Sequence, residues 1–137
     1  MSKRLSLVLT TAVVGSLALV APPALAFHSW NNYHWGSQTS PVTLKVVNTV
    51  DSAWQTPFTT AISDWDVSPQ LALSAPLGMS SKRCAMVAGT VQVCNRTYGN
   101  NGWLGLASIN LSGGHITQGF AKMNDTYFNT ATYNNPN

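Results

Sequence analysis

An apolar stretch at the N-terminus sets the conditions under which the rest of this chain folds. Two basic residues precede residues 5–20, which are apolar apart from Ser, Thr and Gly, and two prolines follow the stretch. The next three residues, Ala24-Leu25-Ala26, have the A-x-A form of a signal-peptidase site. The stretch is also shorter than the ~20 residues of a membrane-spanning helix. We therefore predict a secretory signal peptide over residues 1–26, cleaved between Ala26 and Phe27.

The predicted export of the chain changes how its charge is interpreted. Two of the seven basic residues lie in the leader, so that five Lys and Arg remain against four Asp, a net charge of +1. This balance gives no electrostatic basis for binding nucleic acid or an anionic membrane. We therefore expect a secreted, extracellular protein with no nucleic-acid partner and no membrane association after signal cleavage. The sequence leaves the oligomeric state open.

The candidate catalytic and metal-ligating side chains are few. The chain contains no glutamate, the residue that zinc peptidases and glycosidases commonly use as general acid or base. Asp64 and Asp66 stand two apart on a predicted helix and point to different faces, so they do not form a carboxylate pair. The histidines are scattered and would bind zinc only if they converged in space, so we assign no metal site and expect solvent-facing or hydrogen-bonding roles for His28, His34 and His115.

Cys84 and Cys94 are the only cysteines of the chain. In an oxidising compartment two cysteines of an exported protein are expected to pair. The rival interpretation is a metal site, which needs further ligands nearby, but residues 79–99 contain no His, Asp or Glu. We therefore predict an intrachain disulfide, which suits a small domain whose hydrophobic core is marginal.

An amphipathic helix is the clearest predicted element. Asp51 is its candidate N-cap. Pro57 is disfavoured inside a helix, so either Thr56 caps the helix with Pro57 at the first position, or a longer helix is kinked; both alternatives stay open. Spacings of four, three, one and three residues place five apolar side chains on one helix face, namely Trp54, Phe58, Ala61, Ile62 and Trp65.

Strand patterns lie on both sides of this helix. A strand–helix–strand start predicts a parallel pair with a right-handed crossover, and the tight turns that follow add at least one antiparallel strand. The fold class is therefore α+β, with a mixed, twisted, five-stranded sheet and one packed helix. A polar, aromatic lead-in over residues 27–40 precedes a single domain over residues 41–137. The predicted strands are residues 42–47, 71–77, 90–94, 104–111 and 116–123.

Two longer segments resemble a known family. Residues 94–109 read Cys-Asn-Arg-Thr-Tyr-Gly-Asn-Asn-Gly-Trp-Leu-Gly-Leu-Ala-Ser-Ile, and residues 119–129 read Gly-Phe-Ala-Lys-Met-Asn-Asp-Thr-Tyr-Phe-Asn. With Tyr33-His34-Trp35 and Ser63-Asp64-Trp65, these segments resemble the secreted, matrixin-like zinc metallopeptidases of the metzincin class. The resemblance extends over residues 33–136 and implies the N-terminal subdomain of that fold.

The resemblance also implies a way of binding substrate. Residues 104–111 correspond to the edge strand along the upper rim of the active-site cleft, to which an extended peptide or protein substrate adds. Leu106 and Ala107 fall where matrixins have a Leu-Ala pair whose backbone holds the substrate. The next family position is often a histidine that binds a structural zinc. Because Ser108 stands there, no structural zinc is implied for this chain.

The catalytic motif of the family is absent from this sequence. In the family a helix with His-Glu-x-x-His follows the fifth strand; its two histidines bind zinc and its glutamate activates the metal-bound water. Neither this motif nor the third histidine after it is present. We therefore expect a truncated metallopeptidase-like protein whose domain over residues 41–137 is incomplete. We assign it no catalytic residues and no cofactor of its own and expect no activity as it stands, since zinc belongs to the full-length family; the motif's absence leaves open whether the protein is an enzyme.

A different class of function remains as the alternative. The chain could be a small, secreted, non-catalytic binding protein that recognises carbohydrate or protein through its exposed aromatic residues. The candidate contact residues are Trp30, Tyr33, Trp35 and Trp103.

Three N-glycosylation sequons begin at Asn95, Asn110 and Asn124. Their use depends on the host, which the sequence does not reveal.

Overall fold

The computed structural model describes residues 31–37, 39–79 and 83–133. The predicted signal peptide, its cleavage site at Ala26 and Phe27, and the residues His28 and Trp30 lie outside these ranges. Within them, no helix is long and apolar enough to cross a membrane. The elements in chain order are β1 (His34–Trp35), β2 (Val42–Asn48), a 3₁₀ turn (Ser52–Trp54), α1 (Gln55–Asp66), β3 (Leu71–Ser74), β4 (Thr90–Arg96), β5 (Gly105–Ser112), β6 (His115–Asn124) and α2 (Asp125–Phe128).

All strands of the described residues belong to one sheet. Its order is β1-β6-β4-β2-β3, and β5 pairs with β6. Every pairing is parallel except that of β5 with β6, which is antiparallel. The fold is therefore α+β with a mostly parallel sheet, and the predicted parallel pair (β2 and β3) and antiparallel strand (β5) are confirmed. The prediction of five strands is wrong, because the lead-in contributes the two-residue strand β1, which is too short to show any period.

The start of α1 explains how the helix accommodates Pro57. The helix begins at Gln55, with Trp54 as its N-cap residue. Pro57 therefore lies in the first turn, where a helix N–H has no intrahelical partner and its absence costs little. Thr56 lies inside the helix and is not its cap, and a 3₁₀ turn replaces the predicted kink. Asp51 caps that turn, because its Oδ1 accepts a hydrogen bond from Ala53 N at 3.0 Å.

Helix α1 covers only part of one sheet face. Among the residues of this helix, Phe58 is buried, but Trp65 is 67 % exposed. Beside the helix lies an open groove of about 580 Å³, lined almost entirely by apolar side chains. We call it the apolar groove. Its floor consists of half-buried side chains of the sheet, including Leu44, Val46, Leu71, Val91, Val93 and Met123.

A disulfide-bonded loop packs on the opposite sheet face. Cys84 and Cys94 are joined by a disulfide, with their Cα atoms 6.0 Å apart, so the predicted pairing is confirmed. Both cysteines are almost fully buried. Successive strand residues point to opposite faces, so Cys94 lies on the face away from its neighbour Val93 and the apolar groove. The loop over residues 83–89 thus attaches to the side of the sheet that α1 leaves free.

Breaking the disulfide should destabilise the fold. The bond joins residues ten apart in sequence, and the chain-entropy model gives such a loop about 3 kcal/mol of stabilisation. We expect reductant to lower the free energy of unfolding by about this amount in a urea titration. A double variant, Cys84→Ser with Cys94→Ser, should show the same loss and no response to reductant. Two free thiols in the unreduced protein would contradict the pairing.

The apolar groove should make the isolated chain loosely packed. Each large side chain that stays exposed forgoes roughly 1.5–3 kcal/mol of burial, while the whole stability of a domain is only ~5–15 kcal/mol. We expect strong binding of the dye ANS and a broad thermal transition. Trp65→Ser should reduce the dye signal, whereas Val67→Ser, which alters an 80 % exposed residue outside the groove, should not. A sharp transition with negligible dye binding would contradict this expectation.

Candidate peptide-binding edge and the polar cluster beside it

Strand β5 forms one edge of the sheet. Among the described residues it pairs with β6 alone. Leu106 lies opposite Lys122 and Ala107 opposite Ala121. Because Ala121 lines the apolar groove and cross-strand partners share a face, Ala107 faces the groove side and Leu106 faces the other. The residues that the family resemblance marks for substrate binding therefore lie on an edge strand, with one side chain next to the groove.

The side chain of Asn124 organises the loop that leads into β5. Asn124 is fully buried at the carboxyl end of β6. Its Oδ1 accepts a hydrogen bond from Tyr98 N at 2.9 Å. Its Nδ2 donates to Gly99 O at 2.9 Å, to Asn101 Oδ1 at 3.0 Å and to Trp103 O at 3.3 Å. One amide thus holds four successive parts of the loop, and this fixes where β5 begins.

Helix α2 holds the same loop from its other side. Gly99 N donates to Thr126 Oγ1 at 2.9 Å, and Gly102 N donates to Tyr127 Oη at 2.8 Å. Gly99 and Gly102 have φ angles of 87° and 83°, a left-handed conformation that residues with a side chain rarely adopt. The turn residues Gly99 and Gly102 are therefore required by the backbone conformation, and α2 anchors both.

A second buried amide, that of Asn95, links three segments at the carboxyl end of β4. Asn95 is fully buried. Its Oδ1 accepts from Asp51 N at 2.7 Å. Its Nδ2 donates to Asp51 Oδ2 at 2.7 Å and to Asp125 Oδ2 at 2.6 Å. The other oxygen of Asp125 accepts from Trp54 Nε1 at 3.0 Å. We call Asn95, Asp51, Asp125 and Trp54 the Asn95 cluster.

The Asn95 cluster is structural in its chemistry. Both oxygens of the buried Asp125 carboxylate already accept hydrogen bonds, one from Trp54 and one from Asn95. The Trp54 ring also packs edge-on against Phe128, with ring centroids 4.9 Å apart. A carboxylate held in this way binds its neighbours rather than a substrate proton, because a general base needs access to the reacting group. The cluster therefore joins the start of α1 to β4 and α2.

A cation–aromatic group lies on the sheet face away from the apolar groove. Lys122 Nζ is 4.1 Å from the ring centroid of Phe120 and 5.6 Å from that of Tyr98. Burial lowers the pKa of Lys122. Burial also raises the pKa of Tyr98, an effect that the charge of Arg96 opposes and that of Asp125 reinforces. Within the described residues the buried Tyr98 hydroxyl has no hydrogen-bond partner.

The aromatic residues considered for carbohydrate or protein binding do not form one surface. Trp35 lines the apolar groove. Trp103, in the loop before β5, packs on Tyr98, with ring centroids 5.2 Å apart. Tyr33 is half-buried, and Trp30 lies outside the described residues.

Two histidines that are far apart in the sequence come together in the structure. The ring centroids of His34 and His115 are 4.7 Å apart, a contact that the sequence analysis did not anticipate. No group of three or more His, Cys, Asp or Glu side chains that could hold a metal ion occurs in residues 31–37, 39–79 and 83–133. Ser108, at the family position of a zinc-binding histidine, is a half-buried residue of β5.

In the sequence, Asn95 and Asn124 are recognisable only as the first residues of sequons, and their structural roles are not apparent. Both are fully buried with their amides hydrogen-bonded, whereas Asn110 is exposed on β5. The available signal was position, since each asparagine stands at the end of a predicted strand, where backbone groups of the following turn need partners.

No family model matches this chain, no curated protein matches it, and no solved structure matches it.

Removing the Asn95 amide should lower the free energy of unfolding. Asn95→Ala leaves Asp51 N and one Asp125 oxygen without their buried partner, so we expect a loss of about 3 kcal/mol in the free energy of unfolding. Asn110→Ala, an exposed control, should stay within about 0.5 kcal/mol of wild type. Urea titrations measure both.

The isosteric variant Asn95→Asp tests the electrostatics of the cluster. It places a third carboxyl group against two others, and the new group should destabilise the fold increasingly as the pH rises and it ionises. A pH-independent effect would contradict the assigned contacts.

Proposed function

We propose that this chain is the N-terminal part of the catalytic domain of a secreted, matrixin-like zinc peptidase of the metzincin class. In this proposal the chain supplies the strand with which an extended peptide substrate pairs. The observation that carries the proposal is the placement of Leu106 and Ala107 on an antiparallel edge strand of an otherwise parallel sheet.

The backbone of β5 suits this role. An edge strand presents a row of N–H and C=O groups that a further strand can use, and main-chain hydrogen bonds of this kind hold peptides in many recognition domains. The loop before β5 is held by Asn124 and α2, so the edge is positioned before any peptide arrives. Preorganisation of this kind reduces the ordering cost of binding.

The apolar groove is consistent with the same resemblance. In the family, the helix that carries the zinc ligands packs on the same sheet face as the first helix. The apolar groove lies beside α1 on that face, and Ala121 and Met123 of β6 line it. An amphipathic helix is the kind of element that covers a sheet face of this sort. In this proposal, the groove is therefore the surface on which the family's catalytic helix packs.

In this proposal, catalysis and substrate binding belong to different parts of the family's domain. Zinc ligands and a general base belong to a His-Glu-x-x-His helix, which this sequence does not contain. The residues described here bind and orient the substrate, a contribution that converts binding into correct placement of the reacting groups. The Asn95 cluster holds the carboxyl end of β4 in place, and Asn124 holds the loop that leads into β5.

The alternative, a binding protein that uses exposed aromatic residues, receives no comparable support. Trp35 lines the apolar groove, whereas Trp103 is not among the groove residues and packs on Tyr98, and aromatic recognition of one ligand needs side chains on a common surface.

Peptide pairing should be visible in the amide protons of β5. We expect an apolar, extended heptapeptide to slow hydrogen exchange and shift the NMR signals of residues 105–109, because the peptide backbone satisfies the outward groups of that edge. The same peptide with alternate backbone nitrogens methylated should have no effect. The strand β3 forms the opposite edge of the sheet, and its amides are the internal control.

Equal changes at β3 and β5, or none at millimolar peptide, would contradict the proposal. The chain alone should show no chelator-sensitive cleavage of casein, since it lacks the ligand helix. Cleavage that chelator abolishes and zinc restores would contradict the division of roles. Coding DNA beyond the Asn137 codon gives a separate readout, and a His-Glu-x-x-His sequence there would support the family.

A further inference from the structure

His34 and His115 lie side by side where β1 meets β6. They are register partners in the parallel pairing of these strands. Their ring centroids are 4.7 Å apart and the ring planes stand at 87°. Both side chains are exposed, so solvent and ions have access to them. The sheet topology alone creates this pair, since the two residues belong to opposite ends of the described chain.

The separation of the rings suits two imidazoles that share a metal ion. A ring nitrogen binds zinc at about 2.0–2.1 Å, which places the ring centroid roughly 3.2 Å from the ion, so two rings at a near-tetrahedral angle have centroids about 5 Å apart. The observed distance of 4.7 Å is close to this value. Because His115 is on the surface, rotation of its ring can turn a nitrogen toward His34 without disturbing a packed core.

The hydrogen bonding of His34 leaves the nitrogen needed for a metal available. Nδ1 of His34 lies 2.8 Å from the carbonyl oxygen of Asn32. A carbonyl only accepts, so Nδ1 carries the proton and donates it, and Nε2 keeps its lone pair. Histidines that bind metals usually donate their other ring N–H to a carbonyl or carboxylate in this way. The Asn32 backbone is left-handed, with φ 57°, a conformation that asparagine tolerates better than most residues.

The strand segments around the pair carry no charge that would repel a cation. Residues 31–37 and 111–119 contain no Lys or Arg, so neither strand segment brings a positive charge to the site. Gly36 leaves the space that His115 occupies, because a Cβ atom there would come within 3.3 Å of His115 Cγ. The ring of His115 is thereby seated next to β1.

We propose that His34 and His115 form a surface site for one divalent transition-metal ion of the class that imidazole binds, such as Zn²⁺ or Ni²⁺. Water completes the coordination. His34 binds through Nε2. The ion ties β1 to β6, which otherwise pair through only two residues of β1. This site is separate from the catalytic zinc of the proposed function and does not depend on it.

Titration of the purified protein with zinc chloride tests the site. Isothermal calorimetry at pH 7.5 should show one saturable site. His34→Ala and His115→Ala should each weaken binding by at least about tenfold, a loss that even outer-shell changes cause at metal sites. His28→Ala is the matched control and should leave binding unchanged.

A second measurement needs no variant, so a folding defect cannot obscure the result. Long-range ¹H–¹⁵N NMR of the wild-type protein should show zinc shifting the His34 Nε2 signal while Nδ1 stays protonated. Signals of both His34 and His115 should saturate together. The proposal is overturned by no saturable binding at millimolar zinc, by binding that survives both alanine variants, or by shifts confined to His28.

Discussion

The carboxamide of Asn95 is the contact on which the arrangement of the helices depends. It is fully buried and hydrogen-bonded to both Asp51 and Asp125. Asp51 directly precedes the 3₁₀ turn that leads into α1, and Asp125 is the first residue of α2. Two carboxyl groups brought to one site repel each other unless a donor lies between them. The amide supplies that donor, and its oxygen takes the Asp51 backbone N–H in return. An apolar or acidic side chain could not do both.

The two faces of the sheet are covered to different degrees. One face carries the disulfide-bonded loop, with Cys84 and Cys94 almost fully buried. The other carries α1, which buries Phe58 but leaves an open groove of about 580 Å³ beside it. Small domains already bury a limited share of their surface, so an uncovered apolar face is a large fraction of this one. The less covered face is the one toward which the Ala107 side chain of the edge strand points.

Local patterns accounted for much of this fold. Helix α1 and the strands β2 to β6 follow from apolar periods that each segment carries within itself, and the disulfide follows from two cysteines in a predicted export context. The exceptions are informative. Strand β1 has two residues and α2 has four, lengths over which neither period can be seen, and Trp54 rather than Thr56 precedes the helix because the 3₁₀ turn capped by Asp51 ends there.

The sequence by itself determined the class of fold and the disulfide, because these depend on short-range periodicity and on the pairing of the only two cysteines; the edge position of residues 104–111 was implied only by the family resemblance. Tertiary structure alone decided which polar residues matter. Asn95 and Asn124 start sequons like that of Asn110, yet only the first two are enclosed where strands end and turns need partners. His34 and His115 meet only because β1 pairs with β6. Contacts of this kind are set by the folded path of the chain, which no local pattern encodes.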